Sequence, residues 1–263
     1  MISGILLLKG LVAALIVGFV TASIKTWVDR VFLVIMLVGI VGLPIGEAIV
    51  VNLGVVGIAA LLMVIRQRKA LRGAAPAGGL EWTLIVVPAV AGGIAGRFIG
   101  AAVAPKALIA VLGAYAILVG LRIFFIKPLP ERETKAHPAW LAPVSLGSGL
   151  LAGFLSAGGK PFAVPAYNNA MGHHPRRAYA FASLGVAAAS WAAIATQLAF
   201  VATPMAADFI LALYEFILVT LVALIVSKFW SEKLNRIVNL TIAPILILVG
   251  IRFMLMAFSS AGA

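Results

Sequence analysis

Apolar runs of about 20 residues, separated by short basic loops, are the feature that most constrains the fold of this 263-residue chain. A helix needs about 20 predominantly apolar residues to cross the hydrocarbon core of a bilayer. Leu, Val, Ile and Ala fill these runs without the two-residue alternation of membrane strands, which excludes a β-barrel. Hydrophobic residues make up 63% of the chain, more than a soluble domain needs. We therefore predict an all-α polytopic protein of the cell (inner) membrane.

Two of the apolar segments are too short to cross a bilayer alone. They lie near residues 28–42 and 161–171, and the second reaches only about 16 Å as a helix. We interpret both as half-helices or limbs of re-entrant hairpins, which are tolerated where the backbone is buried in protein. The other segments lie at approximately 2–24, 44–65, 82–103, 106–126, 140–158, 176–201, 205–227 and 234–258.

The two halves of the chain resemble each other. Leu118–Arg122 reads L-V-G-L-R, and Leu248–Arg252 reads L-V-G-I-R, 130 residues later. Ala48 and Ala178 are also 130 residues apart, and each opens a long helix after a Gly-containing turn. These matches predict a duplicated membrane domain with about five helical segments in each half. The predicted parts are a first transmembrane repeat over 1–126, a cytoplasmic linker over 127–139 and a second transmembrane repeat over 140–263.

Basic residues cluster in short loops, as the positive-inside rule expects of cytoplasmic loops. The loops at Gly42–Gly46 and Ala202–Ala207 carry no Lys or Arg and are predicted to lie outside. Each half then makes an odd number of crossings, so the two repeats are predicted to be inverted. The same clustering accounts for the net charge of +12 without a nucleic-acid partner. The predicted cytoplasmic residues are Arg66, Arg68, Lys69 and Arg72; Lys127, Arg132 and Lys135; His173, His174, Arg176 and Arg177; and Lys228, Lys233 and Arg236.

Two lysines interrupt long apolar stretches in matching contexts. Lys25 ends G-F-V-T-A-S-I-K, and Lys160 ends G-F-L-S-A-G-G-K, 135 residues later. A cation at the bilayer centre costs roughly 2.5–3.5 kcal/mol on the insertion scale, so the matched pair favours a functional role. In inverted repeats, broken helices at mid-depth point their positive N-terminal ends at anionic ligands. The pattern predicts a site for a small oxyanion, while snorkelling of each lysine to the interface is the alternative.

Hydroxyls, glycines and an asparagine complete the predicted site. Glycine allows a ligand to approach the backbone closely. Asn52 lies about a third of the way into its helix, and its counterpart in the second half falls near Ala182–Ser183. Both positions can line a cavity or bond to a neighbouring helix. The predicted substrate-binding residues are Lys25, Lys160, Thr21, Thr26, Ser156, Gly158, Gly159, Asn52 and Ser183.

Glu215 falls near the middle of its apolar segment, where a carboxylate is a functional hypothesis by default. It is the candidate coupling residue, for a proton or a sodium ion, or else an ion-pair partner of Lys160, Lys25 or Arg97. The carboxylates Glu47 and Asp208 lie near the outer ends of their segments and are expected at the interface. Either of them could pair with Arg97.

Patterns typical of enzymes and of primary pumps do not occur in the sequence. No P-loop, HExxH or GxSxG pattern is present, and no soluble ATPase domain would fit. The chain has no cysteine, and His173-His174 has no further ligand nearby in the sequence. We therefore predict no metal site, no cofactor and no enzymatic activity.

Gly149–Pro165 reads G-L-L-A-G-F-L-S-A-G-G-K-P-F-A-V-P and precedes a Gly-containing turn and a long Ala/Ser-rich helix. This stretch resembles the TauE/SafE sulfite exporter family, and the length and duplicated architecture agree over most of the chain. The family motif, a glycine cluster, an apolar stretch and a proline, is matched by Gly158–Gly159 and Pro165. The first half departs from it, with Ser23-Ile24-Lys25 in place of the glycines. The resemblance implies transport of sulfite, organosulfonates or related small anions.

These features predict a secondary transporter of small sulfur-containing anions, such as sulfite, sulfoacetate or taurine-type compounds, that works by alternating access. Lys25 and Lys160 would hold the anionic head group. The expected partners are the anion, the lipid bilayer and a coupling proton or sodium ion. A carboxylate carrier stays open, because a lysine ammonium is a point charge that does not distinguish sulfonate from carboxylate. An anion channel also stays open, although half-helices that meet at a mid-membrane site favour a carrier.

Overall fold

The computed structural model describes residues 3–24, 31–72, 78–125, 138–157, 159–170, 172–201 and 206–259, and within these ranges the chain is helical without strands. Seven of the described helices are long and apolar enough to cross a membrane, which confirms the predicted all-α polytopic architecture. These seven are α1 (Gly4–Ile24), α3 (Ile45–Arg66), α5 (Gly78–Ala102), α6 (Pro105–Phe125), α9 (Pro175–Phe200), α10 (Ala206–Ser227) and α11 (Glu232–Ser259). The shorter helices are α2 (Val31–Met36), α4 (Arg68–Arg72), α7 (Leu141–Leu155) and α8 (Lys160–Pro165).

Both predicted short segments are confirmed as short helices, and each ends in a π-helical turn. α2 continues as π1 (Leu37–Val41), and α8 continues as π2 (Ala166–Ala170). A glycine with positive φ follows each of them, Gly42 at 83° and Gly172 at 74°. Glycine adopts this conformation without steric cost, and the turn leads directly into the long helix α3 or α9. The same succession of elements therefore occurs in both halves.

Helices α3 and α9 form the centre of the bundle. They contact each other and are the most buried of the seven long helices. Gly57 of α3 faces Ser190 and Trp191 of α9, and a Cβ on Gly57 would lie 3.6 Å from each. Buried polar side chains also lie here, among them Asn52 and Ser183, which are both fully buried. The centre of the bundle therefore holds the polar groups that a site would need.

Glycines bring α5 and α7 into backbone contact. A Cβ on Gly153 would overlap the carbonyl oxygen of Gly93, and a Cβ on Gly93 would overlap Ala189 of α9. Close approach at small residues is a common way for membrane helices to associate, because dispersion contacts replace the hydrophobic effect. The contacts follow the same order along both helices, so α5 and α7 run parallel. The contacting pairs are Gly92 with Leu146, Gly96 with Leu150 and Gly100 with Phe154.

The two halves interleave. α5 of the first half packs on α7 of the second, and α10 of the second half packs on α1 of the first. The α1–α10 pair also runs parallel, since Gly10 faces Glu215 and Gly18 faces Val222. In each half, the helix before the last one therefore packs on the first helix of the other half.

Helices α6 and α11, the last of each half, pack against each other in opposite directions. Gly113 meets Gly250, and Gly120 meets Ala243, so the order of contacts reverses along the pair. Matched helices that run antiparallel support an inverted repeat. The inversion across the membrane stays a prediction, and most of the linker over 127–139 lies outside the described residues.

Single cysteines test this inversion, because the chain has no cysteine of its own. Ala104 links α5 to α6, Lys228 links α10 to α11 at the matching place of the second half, and both are exposed. Ala104→Cys is expected to react with a membrane-impermeant thiol reagent in intact cells. Lys228→Cys is expected to react only after permeabilisation. Reaction of both variants from the same side would contradict the inverted arrangement.

Candidate functional site

The helical structure is interrupted between α7 and α8, inside the bundle. α7 ends at Leu155, earlier than the predicted segment over 140–158, because Ser156 adopts a left-handed conformation with φ of 56°. It is the single non-glycine residue with positive φ in the described ranges, and such a conformation is uncommon outside glycine. Gly159 follows with φ of 60° and caps α8. A Cβ on Gly159 would lie 2.9 Å from the Cα of Ser148, so only glycine fits there.

Lys160 is the first residue of α8 and is 4% exposed. Its ammonium donates to the Oγ of Ser183 on α9 at 2.7 Å. The Ser183 hydroxyl in turn donates to the carbonyl of Tyr179 at 2.8 Å. Pro161 follows at a position in the first turn of the helix where no amide hydrogen is required. Lys160 therefore points into the protein and is held against the central helix.

Asn52 of α3 ties the centre of the bundle to this break. Its Nδ2 donates to the carbonyl oxygen of Ser156 at 2.9 Å. The Oδ1 of Asn52 and the Oγ of Ser156 are buried and have no hydrogen-bond partner among the described residues. Each buried polar group without a partner costs about 1–3 kcal/mol, and such groups are rare. Ser156 lies four residues before Lys160, so a polar ligand bound near Lys160 can supply hydrogen bonds to these two atoms.

Several of the predicted site residues thus come together around the break. We call Lys160, Ser183, Asn52, Ser156 and Gly159 the central cluster. The structure does not bring Thr21 to it by any described contact, because the Thr21 hydroxyl donates to Val17 on its own helix at 2.6 Å. The remaining predicted residues, Lys25, Thr26 and Gly158, lie outside the described residues.

Sequence reasoning missed the contribution of α7. Ser148 packs against Gly159, and Ser145, one turn earlier, shares a hydrogen bond of 2.7 Å with the hydroxyl of Tyr167 in π2. Both serines are buried. Residues three apart lie on one face of a helix, so α7 presents a polar face to α8 and π2. The spacing S-x-x-S is visible in the sequence and is the signal that could have revealed this face.

Glu215 is fully buried on α10, and its carboxylate lies against Gly10 of α1. Gly10 precedes the end of α1 at Ile24 by about 21 Å along the helix axis. Among the described residues, Arg97 forms no ion pair with Glu215, and its Nε donates to Gln197 of α9. Glu215 is therefore an interior carboxylate between α1 and α10, about 21 Å along the helix axis from the end of α1.

The two ends of the bundle differ. At the predicted cytoplasmic end, Arg177 of α9 donates to Glu81 of α5 at 2.6 Å, and its guanidinium also lies over the ring of Phe181. At the opposite end a cavity of about 700 Å³ lies between the start of α3 and the ends of α5 and α9. We call it the outer cavity. An ion pair thus joins α5 and α9 at one end, whereas at the other end both helices line a cavity, where Arg97 of α5 bonds to Gln197 of α9.

Two serines of α9 test the contact of Lys160. Ser183→Ala removes an acceptor from a buried ammonium, and a hydrogen bond to a charged group contributes about 1.5–3 kcal/mol. We expect a loss of stability of that size, measured as thermal unfolding of the purified protein. Ser190→Ala is the matched control, because Ser190 is also fully buried but its Oγ has no hydrogen-bond partner in the described ranges. Equal effects of the two substitutions would argue against the Lys160–Ser183 bond.

Comparison with known proteins agrees with this architecture. The chain matches the family model for sulfite exporter TauE/SafE over residues 7–253, nearly its whole length. Neither a curated protein nor a solved structure matches it. The members of the matched family are multi-pass membrane transporters and not enzymes. Because the match spans both halves and the central cluster, the chain belongs to the TauE/SafE sulfite exporter family.

Proposed function

We propose that this chain is a secondary transporter that binds a small sulfur oxyanion at the central cluster. The observation behind this proposal is the burial of Lys160. This residue is 4% exposed and is the first residue of a helix inside the bundle. A buried cation is expensive to desolvate, and an anion with good hydrogen-bonding geometry offsets that cost. The hydroxyl of Ser156, which has no hydrogen-bond partner among the described residues, adds a donor for another oxygen of such an anion.

The substrate class rests on the family as well as on the cluster. A lysine alone does not separate sulfonate from carboxylate. The matching family model is that of a sulfite exporter, which favours sulfite or the head group of an organosulfonate such as sulfoacetate or taurine. Lys25, Thr21 and Thr26 are proposed as the contribution of the first half, and Gly158 as a point of close backbone approach.

Alternating access is the proposed mode of transport. The Arg177–Glu81 ion pair joins α9 to α5 at the predicted cytoplasmic end, while the outer cavity lies at the other end, among the ends of α3, α5, α6, α9 and α10. A site that is reached from one side at a time suits a carrier, whereas a channel needs a continuous pore. Movement of one repeat against the other around a fixed site is the usual route in transporters with this kind of duplication.

A ligand screen with purified protein tests the substrate class. The panel is sulfite, thiosulfate, taurine, sulfoacetate and isethionate, with short carboxylates as the comparison. A ligand that binds only the folded state at 100 times its Kd stabilises it by about 2.7 kcal/mol. We expect stabilisation by sulfur oxyanions. Stabilisation by carboxylates alone would show that the substrate is a carboxylate. Uptake into proteoliposomes that neither saturates nor shows counterflow would show that the protein is a channel and not a carrier.

Glu215 is proposed as the residue that couples anion movement to a proton. Its full burial and its position within α10 support this role. Glu215→Gln mimics the protonated carboxyl group, so we expect anion binding to persist and the pH dependence of flux in proteoliposomes to disappear. Tyr214→Phe, at the neighbouring position of α10, removes a hydrogen bond to Leu7 of α1 but no carboxylate, so this control should keep the wild-type pH profile. A wild-type pH profile in Glu215→Gln would mean that Glu215 has a structural role. Anion flux that depends on sodium would mean that sodium, and not a proton, is the coupling ion.

A further inference from the structure

A second set of polar groups surrounds the outer cavity. The cavity is lined by the ends of α3, α5, α6, α9 and α10, and it includes Glu47, Asp208 and Arg97. Glu47 is exposed and Asp208 is partly exposed, whereas Arg97 is 4% exposed. The carboxylates therefore lie toward solvent, and the cation lies at the buried end. This charge order marks the inner wall of the cavity as the place where an anion would be held.

Arg97 retains an unused hydrogen-bond donor. Its Nε donates to the Oε1 of Gln197, a side chain that is 2% exposed. Its Nη1 is buried and has no hydrogen-bond partner among the residues that the structure describes. Among the described residues, neither Glu47 nor Asp208 forms an ion pair with Arg97. A buried guanidinium N–H without an acceptor is costly, and an oxyanion is its strongest acceptor.

The start of α3 adds backbone donors to the same cavity. α3 has 22 residues, and its N-cap, Pro44, provides no side-chain hydrogen bond to the first amides. Those amides have no acceptor within the helix and carry the positive end of its dipole. Ile45, Gly46 and Glu47 all line the cavity. A Cβ on Gly46 would meet no atom within 4 Å, so a ligand can reach the backbone there.

We propose that Arg97, Gln197 and the first amides of α3 form a second anion-binding site, for the same class of small oxyanion as the central cluster. The planar guanidinium can present paired donors to two oxygens of a sulfonate-type head group. Val50 of the cavity wall precedes Asn52 of the central cluster by two residues on α3. The site is therefore a station between the predicted outer surface and Lys160. The station role rests on the proposed function, whereas anion binding at Arg97 does not.

Protection of an introduced cysteine tests this site by a local readout. Gly46→Cys is made in the otherwise cysteine-free chain and alkylated in detergent with a neutral iodoacetamide dye. The probe is methanesulfonate, an oxyanion that does not react with this reagent, added as its sodium salt. At ten times its Kd, the bound anion is expected to slow alkylation about tenfold by occupancy alone.

Further substitutions in the Gly46→Cys background assign the protection. Arg97→Gln should abolish it, and Arg97→Lys, which keeps the charge but loses the planar donors, should require about tenfold more anion. Arg252→Gln, at an exposed arginine of α11, and Lys160→Ala should both keep it. If Arg97→Gln does not purify as folded protein, Arg97→Lys decides the question. Protection that survives in both Arg97 variants, or that is lost in Lys160→Ala, would overturn the second site and leave the proposed function standing.

Discussion

Replacing Lys160 by alanine is expected to lower the affinity for the transported anion roughly 10- to 150-fold, because a charge-assisted contact contributes about 1.5–3 kcal/mol. The ammonium is buried against Ser183, so solvent does not screen it as it would a surface lysine. Lys160→Arg should restore affinity only in part, since a guanidinium needs more room and Gly159 is already in close contact with Ser148. The measurement is a titration of the thermal unfolding temperature with sulfite.

Lys9→Ala is the matched control for this experiment. Lys9 is an exposed lysine of α1, so its loss changes the net charge equally without touching the central cluster. An equal drop in affinity in both variants would mean that general electrostatic attraction is being measured. Unchanged affinity in Lys160→Ala would eliminate the central cluster as the binding site. Lys25→Ala in the same assay tests the proposed contribution of the first half.

Gly153→Ala is expected to destabilise the bundle by about 1–3 kcal/mol or more, the usual cost of overpacking. The added Cβ would overlap the carbonyl oxygen of Gly93 and lie 2.9 Å from the amide nitrogen of Arg97. Backbone atoms of a packed helix cannot rotate away as a side chain can. The temperature of unfolding in detergent should therefore fall.

Gly147→Ala, on the same helix, separates this steric effect from the change in helix propensity. A Cβ on Gly147 would meet no atom within 4 Å. Alanine favours a helix over glycine by about 1 kcal/mol, so this variant should be as stable as the wild type or slightly more stable. Equal losses in Gly147→Ala and Gly153→Ala would show that α5 and α7 do not approach as closely as described.

The helical elements were predictable because their signals are local. Apolar length identifies the seven long helices, and shortness identifies the two that end in π1 and π2. The burial of Lys160 was predictable because a cation inside an apolar stretch must be satisfied by nearby groups. Asn52 and Ser183 could be proposed only as polar residues near the centre of their helices. The sequence contains no indication that Asn52 would bond to the carbonyl of Ser156.

Most of the features that could not be predicted are contacts between residues that are distant in sequence. Arg97 bonds to Gln197, a residue 100 positions away, and not to either of the carboxylates that charge alone suggested. The break at Ser156 shortens α7, because a left-handed serine is a backbone state that residue type does not specify. Gly93 and Gly153 look like any other glycines of an apolar helix until their contact across α5 and α7 is known.

The interleaving of the halves has a consequence for synthesis of the protein at the ribosome. α1 emerges about 200 residues before its partner α10, which at 5–20 residues per second is a wait of roughly 10–40 s. During that time the glycine surfaces of α1 at Gly10 and Gly18 have only lipid, an insertase or another nascent segment to contact. α5 waits in the same way for α7, though for a shorter time. The arrival of the second half in the membrane thus determines when the first half can be buried.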